Sequence, residues 1–371
     1  MWYNLHLVRK ILAILALLTV ISAGGVVIYK NRPKPDLKTK FVEVVRDGIG
    51  VDETKSNIVT PGASALIANP RHVYQTFNNC GPATLSMVLS WYGTDVSQKE
   101  LGEAMRPYQN PQGDNDDKTI FTYEFADWAE KYGYKTLARV NGDIELLKRF
   151  SANGIPVVVK TWLKPGEDIG HFRIVRGFDE KKKVIVQDDS YHGPNKQISY
   201  FDFLSMWQPF NYDYIVVYTA DMEEKVRAIL GEEKDEETSW KNALARAEKE
   251  RELDGENIYP LFNISTAAYH TGDYQKSVAA FAEVEARIPK RMLWYQIEPI
   301  QAYQKLGNYQ RVFEIIERVL SGGNRAFSEL YLIRGEIYLE QGENDKAREE
   351  YEKAVFYNQN LTTAQEHLNS L

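Results

Sequence analysis

The chain has 371 residues, of which 43% are hydrophobic and 26% are charged, a composition typical of globular proteins that argues against disordered and fibrous classes. One hydrophobic core rarely keeps growing at this length, so we expect two folded domains and a targeting segment. The net charge of −7 and the pI near 5.6 give no overall basic field, so nucleic acid is not an expected partner. Cys80 is the only cysteine, which excludes an intramolecular disulfide and a multi-thiolate metal site.

The first predicted element is a membrane-spanning helix. Residues 11–29 carry no charge, and these nineteen residues would span about 28 Å as a helix, close to the hydrocarbon thickness of a bilayer. Basic residues precede this run as in a signal peptide, but Ile-Ser-Ala at 21–23 is only a passable cleavage site. Residues 1–30 are therefore interpreted as a cytoplasmic tip and an uncleaved anchor with extracytoplasmic domains, and a cleaved, secreted form is the second choice. Five basic residues from Lys30 to Lys40 oppose this orientation by the positive-inside rule.

A linker and the first folded domain follow the anchor. Residues 31–56 contain two prolines and mixed charges without an apolar period, which predicts a linker. In residues 57–222, helical periodicity comes first and short β-branched strands come later, which is typical of the α+β class. The predicted helices are residues 80–92, 98–105, 122–132, 143–153 and 201–207, and the predicted strands are residues 155–161, 171–178, 184–188 and 214–218.

The rest of the chain is predicted to be an all-α solenoid. Residues 223–238 are rich in acidic side chains, which predicts a solvated connector. Beyond residue 239 the pattern is helical throughout, and glycines at 272, 307 and 342 recur every 35 residues, each ahead of an amphipathic helix. Residues 239–371 resemble tetratricopeptide repeats, and the third copy matches best. Such repeats offer a concave surface, so a protein or peptide partner is expected.

The residues that carry chemistry begin with Cys80, which opens a predicted helix. Unpaired N–H groups and the positive end of the helix dipole stabilise a thiolate at this place. The backbone N–H of Cys80 and the side-chain amide of Gln75, five residues upstream, could together donate hydrogen bonds to an oxyanion. The alternative interpretation of Cys80 is a small buried structural thiol.

His171 is the predicted base because it stands at the edge of a strand, and His192 is the reserve. Asp188 ends the next strand, and a hairpin over residues 179–183 brings it to the strand of His171. Simple hairpin counting places His171 opposite a position slightly past Asp189. Asp188 and Asp189 point to opposite faces of a regular strand, so at most one of them serves His171. Spacing alone does not choose between them.

No metal is assigned. His171, Asp188 and His192 have spacing that is weak evidence for a zinc site, and no cofactor is expected.

Residues 70–220 resemble the stand-alone branch of the bacteriocin-processing, papain-like family of cysteine peptidases. The resemblance rests on Gln-x(4)-Cys-Gly-Pro at residues 75–82, Gly-His-Phe at 170–172 and a strand that ends in aspartate. It implies a papain-like fold with Gln75 as the oxyanion glutamine, Cys80 as the nucleophile, His171 as the base and Asp188 as the orienting carboxylate, with Asp189 as second choice. The transporter-fused branch cuts leader peptides after paired glycines, but this chain has no phosphate-loop motif of an export ATPase.

These observations together predict a membrane-anchored cysteine peptidase that hydrolyses peptide bonds through a Cys-His-Asp site, with helical repeats that bind a protein or peptide. Two alternatives remain at this point. The first is a papain-like amidase that acts on cell-wall peptide, because papain-like sites share one geometry and differ in their clefts. The second is a non-catalytic, membrane-tethered peptide-binding module.

Overall fold

The computed structural model describes residue 41, residues 58–110 and residues 119–371. The predicted membrane-spanning run at 11–29, and all of the predicted linker except Phe41, lie outside these residues. Across the described ranges, no helix is both long enough and apolar enough to cross a membrane.

Helices form where the first domain was predicted to be helical, with ends that agree or differ by one residue. Side-chain caps fix three of the N-termini: Ser97 accepts from the Glu100 N–H, Asp143 from the Leu146 N–H and Ser199 from the Asp202 N–H. The helices are α1 (Cys80–Trp91), α2 (Gln98–Met105), α3 (Thr122–Lys131), α4 (Ile144–Ala152) and α5 (Tyr200–Trp207).

A seven-stranded antiparallel sheet packs between these helices, and it contains all four predicted strands. The described strands are β1 (Ser64–Leu66), β2 (Lys135–Arg139), β3 (Val157–Trp162), β4 (Gly170–Asp179), β5 (Val184–Asp189), β6 (Gly193–Ser199) and β7 (Tyr214–Tyr218). Their order is β2-β7-β3-β4-β5-β6, and β1 pairs with the far end of β4. Strands β3 and β7 are buried along their whole length and are mostly apolar, which made them predictable from the sequence. Strands β1, β2 and β6 have no such apolar run and were not predicted.

The hairpin between β4 and β5 contains a β-bulge. Gly177 pairs with Val186 and Val175 pairs with Gln187, so Arg176 is one extra residue on β4. A bulge of one residue exchanges the faces to which the following side chains of the partner strand point. Asp188 and Asp189 therefore lie on the faces opposite to those that an unbroken hairpin would give them.

The helices cover both faces of the sheet. Leu85 and Leu89 of α1 are fully buried in one core with Ile174 of β4, and Phe150 of α4 is fully buried in the other core with Val175. Because α1 packs directly on the centre of the sheet, its first residue is held at the edge of β4 where that strand begins.

The acidic segment after β7 differs from the solvated connector that was predicted. Residues Glu223–Leu230 form α6, and its Val226, Ile229 and Leu230 are buried in the core of the first domain. A short 3-10 helix, Gly231–Lys234, follows directly. The segment is amphipathic, and its apolar side packs into the core instead of being solvated.

Antiparallel helices make up the remainder of the chain. They are α7 (Glu236–Leu253), α8 (Ile258–His270), α9 (Tyr274–Val284), α10 (Glu298–Lys305), α11 (Tyr309–Ser321), α12 (Ser328–Glu340), α13 (Asn344–Tyr357) and α14 (Thr362–Ser370), with a 3-10 turn at Met292–Trp294. The glycines of the 35-residue repeat end helices in the left-handed region, with φ of 82° at Gly272 and 76° at Gly342. Within α12, a Cβ atom on Gly335 would lie 2.4 Å from the Tyr351 ring, so glycine permits the close approach of α12 and α13.

The repeats and the first domain share one continuous core. Trp162 of β3 and Phe210 pack with Phe262 and Trp294 of the repeats. The indole N–H of Trp162 donates to the Tyr259 hydroxyl at 3.2 Å. The two domains therefore meet through an apolar interface, and β3, next to the strand of His171, is part of it.

Candidate active site

Cys80 lies at the N-terminus of α1, as predicted. The preceding turn places Asn78 at φ 55°, a left-handed conformation that asparagine tolerates better than most residues. Cys80 is partly exposed, and Pro82 occupies the first helical turn, where no intrahelical N–H bond is lost. The first N–H groups of an α-helix have no acceptor within it, and Cys80 stands at this end of α1.

The thiol of Cys80 and the imidazole of His171 line the same cavity and interact electrostatically. Burial would raise the pKa of Cys80, but its interactions with His171 and with the Phe172 backbone lower that pKa to about 7. Burial would likewise lower the pKa of His171, but its hydrogen bond with Asp189 and its interaction with Cys80 raise that pKa above its ordinary value. Both shifts favour the same state, a thiolate beside an imidazolium.

The carboxylate that contacts His171 is Asp189, not Asp188 as the family resemblance implied. The Nε2 atom of His171 lies 2.9 Å from Oδ1 of Asp189. In an unbroken hairpin, Val175 would pair with Asp188, which would put Asp188 on the face of His171. The bulge at Arg176 pairs Ile174 with Asp188 instead, and this places Asp189 on the His171 face.

Asp189 is held as a carboxylate by several donors. The Nε atom of Arg173 donates to Oδ2 at 2.9 Å, and the backbone N–H groups of Tyr191 and His192 donate to Oδ1. Burial would raise the pKa of Asp189, but the hydrogen bonds and charges of His171, Arg173 and His192 hold it well below its usual range. Asp189 therefore remains charged and fixes the ring orientation of His171.

Asp188 lies on the opposite face of β5 in a separate ion pair. Its Oδ2 atom is 2.9 Å from Nε of Arg176, and its Oδ1 accepts from the Asn195 N–H at 2.9 Å. The side-chain amide of Asn69 also donates to it. These contacts join β4, β5, β6 and the segment after β1, so Asp188 holds these parts of the sheet together.

Gln75 lies on the loop that enters α1 and lines the same cavity as Cys80. Its backbone N–H donates to the Ser190 carbonyl at 2.9 Å, and its Oε1 accepts from the Ser190 hydroxyl at 2.8 Å. With Oε1 accepting from the Ser190 hydroxyl, the NH2 group is the end of the Gln75 amide that remains as a donor. Gln98 of α2 fixes the same loop by accepting from the Thr76 N–H and donating to the Tyr74 carbonyl.

Arg106 is a buried cation near the thiol that the sequence analysis did not identify. It is 1% exposed, and its Nη1 donates to Oδ1 of Asn79 at 2.6 Å. Its positive charge contributes to the lowered pKa of Cys80. Arg106 follows α2 directly, twenty-six residues from Cys80 in the sequence, and no local motif marks it, so only the packing of α2 on α1 reveals its role.

The reserve base, His192, does not occupy the base position. Its Nδ1 lies 2.9 Å from Oδ2 of Asp189, and its side chain is 32% exposed. His192 therefore supports Asp189 from the side opposite to His171. Within the described part of the chain, no group of three or more His, Cys, Asp or Glu residues is arranged to hold a metal ion.

These side chains open into a cavity of about 550 Å³, within the range of small-molecule and peptide pockets. Cys80, His171 and Gln75 lie on its floor with Gly81. Apolar and aromatic side chains form much of its wall, and three further residues of the wall come from the repeats: Arg291, Trp294 and Tyr295.

Comparison with known proteins agrees with both resemblances. Residues 67–215 match the model of the Peptidase_C39 like family, and residues 328–360 match that of the tetratricopeptide repeat. A search of curated proteins found no match to the chain.

Several solved structures are similar to parts of the chain. A putative C39-like peptidase from Bacillus anthracis is 16% identical over 43% of this chain and 98% of its own, with a TM-score of 0.35. The peptidase domain of Streptococcus ComA is 21% identical over 40% and 96%, with a TM-score of 0.31. MamA from Desulfovibrio magneticus is 22% identical over 35% and 72%, with a TM-score of 0.32. From the family models, the chain carries a Peptidase_C39-like domain followed by a helical region of the tetratricopeptide type.

Proposed function

We propose that the chain is a cysteine peptidase in which Cys80 is the nucleophile, His171 the general base and acid, and Asp189 the orienting carboxylate. The observation that carries this proposal is that Cys80 and His171 line one cavity, that His171 lowers the pKa of the thiol, and that Asp189 holds the imidazole at 2.9 Å. A structural thiol needs neither a lowered pKa nor a buried histidine whose ring is fixed by a carboxylate. The Peptidase_C39-like match agrees with this chemistry at the level of the family.

The proposed reaction is acyl transfer to the thiol followed by hydrolysis. The Cys80 thiolate adds to the carbonyl carbon of the scissile bond, and the oxyanion accepts hydrogen bonds from the Cys80 N–H and the Gln75 amide. His171 then gives its proton to the leaving amine as the C–N bond breaks, which leaves a thioester on Cys80. Water, deprotonated by His171, attacks the thioester and releases the acid and the thiol.

The first test is the pH dependence of iodoacetamide labelling of Cys80 in the full chain. Because Cys80 is the only cysteine, the labelled fraction reports one thiol. We expect the rate to rise through about pH 7, the pKa of Cys80, rather than near the ordinary thiol pKa of about 8.5. His171→Ala removes the partner that offsets burial, so its midpoint should move to about 8.5 or higher.

His192→Ala is the matched control, because His192 contacts the same carboxylate but not the thiol. It should leave the labelling midpoint within a few tenths of a pH unit of the wild type. A wild-type midpoint near 8.5, or a thiol that does not label, would refute the proposal and leave the non-catalytic binding module as the better interpretation.

Activity is tested with a panel of unmodified peptides and cell-wall peptides, with product masses read by mass spectrometry. The proposal expects cleavage of peptide bonds by the wild type and none by Cys80→Ala. Cleavage restricted to cell-wall peptide would instead support the amidase alternative with the same catalytic residues, since papain-like sites differ in their clefts and not in this geometry.

We also propose that residues 11–29 anchor the enzyme in a membrane and that its domains lie outside the cytoplasm. The only support for this location is the uncharged run itself. Fusions of an alkaline phosphatase and a green fluorescent protein after residue 371 distinguish the two sides. Phosphatase activity without fluorescence is the expected result, and the reverse pattern would refute this orientation.

A further inference from the structure

A short segment of the repeats forms part of the wall around Cys80 and His171. Residues Met292–Trp294 make a 3-10 turn between α9 and α10, and Arg291, Trp294 and Tyr295 line the catalytic cavity. We call residues 291–295 the repeat wall. This segment is more than one hundred residues from His171 in the sequence, yet it faces the thiol across the same cavity.

Tyr295 fixes the repeat wall to the strand of His171. A Cβ atom built on Gly170 would lie 2.8 Å from the Tyr295 ring, so the ring packs directly on the backbone before His171. Trp162 of the neighbouring strand contacts the other side of the ring, with centroids 5.8 Å apart. The position of the wall is therefore coupled to that of β4.

Arg291 ties the same wall to the loop before β4. Its Nη1 donates to Oδ1 of Asp168 at 2.7 Å, and its backbone N–H donates to Oδ2 of that residue at 3.2 Å. Asp168 is two residues before Gly170. One anchoring pair thus holds the segment by its backbone and its side chain, and the guanidinium lies at the cavity.

The lining of the cavity is cationic and apolar. The buried Arg106 and Lys160 line it together with Arg291, whose charge is paired with Asp168, and the described residues that line it include no aspartate or glutamate. Ile169, 41% exposed, offers apolar surface at the cavity, and the largely buried Trp294, 4% exposed, borders it beside Arg291. Such a lining attracts carboxylates and apolar side chains and repels basic side chains.

We propose that the repeat wall selects the substrate, favouring peptides that place an aromatic or aliphatic side chain next to an acidic one and disfavouring basic peptides. This inference rests on the proposed peptidase function and names its substrate class. Trp294 is the specificity-determining residue for the apolar side chain, and Arg291 is that for the acidic one. The repeats are then a part of the active site and not only a separate binding surface.

The test measures peptide binding to the full chain with Cys80→Ala, so that no substrate is consumed. Fluorescent peptides come in matched sets that differ only in Phe versus Ala at one position and Glu versus Lys at the next. The parent chain should bind the Phe-Glu peptides about tenfold or more tighter than Phe-Lys and Ala-Glu peptides, since the loss of one buried contact typically changes affinity by this factor.

Trp294→Ala should abolish the preference for Phe over Ala and leave the preference for Glu over Lys. Its matched control is Trp240→Ala, a tryptophan of α7 that stacks on His270 and lines a different cavity. Trp294→Phe retains an apolar ring, so it should restore at least part of the preference if Trp294→Ala disturbs the fold.

Arg291→Gln should abolish the preference for Glu over Lys. Asp168→Asn is the matched control, because it breaks the same ion pair and keeps the cation at the cavity. If Arg291 only holds the fold, both variants lose the preference together, and the inference is refuted for Arg291.

Unchanged preferences in Trp294→Ala and Arg291→Gln, a parent preference for basic peptides, or no binding of any peptide would overturn the inference. Its failure is distinguishable from failure of the proposed function, which is read from iodoacetamide labelling of Cys80 in the chains that retain this thiol. A low labelling midpoint with unchanged peptide preferences would support the peptidase proposal and refute the role of the repeat wall. A labelling midpoint at the ordinary thiol value would refute the peptidase proposal.

Discussion

Asp188 and Asp189 are neighbours at the end of β5, and both are almost completely removed from solvent, at 0% and 1% exposure. Each forms an ion pair of 2.9 Å with a buried arginine of β4, Arg176 for Asp188 and Arg173 for Asp189. The two pairs differ in the face of the sheet on which they lie. Only the face of Asp189 also carries His171.

The comparison shows that burial and ion pairing do not identify a functional carboxylate. Both aspartates satisfy the rule that a buried charge is paired and hydrogen-bonded. Asp189 differs because it keeps one oxygen, Oδ1, on the imidazole that contacts the thiol, while Asp188 uses its oxygens on Arg176 and groups of neighbouring strands. The following experiments separate these two roles.

The largest expected effect is the loss of activity in Asp189→Asn. The amide cannot hold the imidazolium, and the change should lower kcat/KM by about 10³- to 10⁴-fold, as observed when triads lose their carboxylate. Asp188→Asn, the matched control, should change kcat/KM by less than about tenfold, because its face does not reach His171. Equal losses in the two variants would remove the distinction between the faces.

Stability should not separate the two aspartates in the same way. Either substitution leaves a buried arginine without its charge partner, which typically costs about 3–5 kcal/mol. The free energies of unfolding of Asp188→Asn and Asp189→Asn, measured by urea denaturation at pH 7, should therefore both fall by amounts in this range. A cost confined to Asp189→Asn would mean that the Asp188 pair contributes little to the fold.

The pH dependence of stability offers a sharper measure of the Asp189 pair. The pKa of Asp189 is held well below its usual range, so its contribution is present above the unfolded pKa of about 3.9 and is lost as the pH falls toward the folded value. The wild type should lose stability more steeply than Asp189→Asn between about pH 4, near the ordinary aspartate pKa, and about pH 2, roughly two units below it. Parallel unfolding curves of these two chains would contradict the pKa shift.

Gln75 is linked to the residue after Asp189, because its Oε1 accepts a hydrogen bond from the Ser190 hydroxyl. Gln75→Ala removes one donor to the oxyanion and should lower kcat about 10²-fold. Ser190→Ala removes only the hydroxyl that orients the amide, so we expect a smaller loss of about three- to tenfold. Thiol labelling should be unchanged in both variants, since neither residue contacts the thiol. A change in labelling without a change in kcat would assign Gln75 to the thiol and not to the oxyanion.

The smallest effect is expected at His192, which contacts Asp189 from the partly exposed side. His192→Gln retains a side-chain donor and should change kcat/KM by no more than about threefold, because exposed pairs contribute little. A loss comparable with that of Asp189→Asn would show that the second histidine is required to orient the carboxylate.

Local patterns were sufficient to predict the elements around Cys80 and His171. The apolar period after Cys80, the caps at Ser97 and Asp143 and the β-branched runs of β3 and β7 each encode their structure within a few residues. Gln75 was placed correctly on the loop before α1 for the same reason.

Spacing did not choose between the aspartates, because one extra residue at Arg176 decides which of them faces His171. The local signal for this bulge is Gly177, since a glycine inside a strand often marks one. The resemblance implied Asp188, whereas the aspartate that contacts His171 is its neighbour Asp189. Arg106 and Asp189 also depend on packing between elements distant in the sequence, which composition and periodicity do not encode. The acidic composition around α6 predicted a solvated connector, whereas its apolar side packs into the core of the first domain.

The coupling of Tyr295 to Gly170 has a consequence for the order in which the chain matures. During synthesis, Cys80, His171 and Asp189 leave the ribosome first, and at about 5–20 residues per second the repeat wall follows only several seconds later. A nascent first domain in this interval has its thiol and its base but lacks one side of the cleft. The cavity around Cys80 is therefore complete only after the first helices of the solenoid have docked. The synthesis of the C-terminal half of the chain sets the time at which this cavity is assembled.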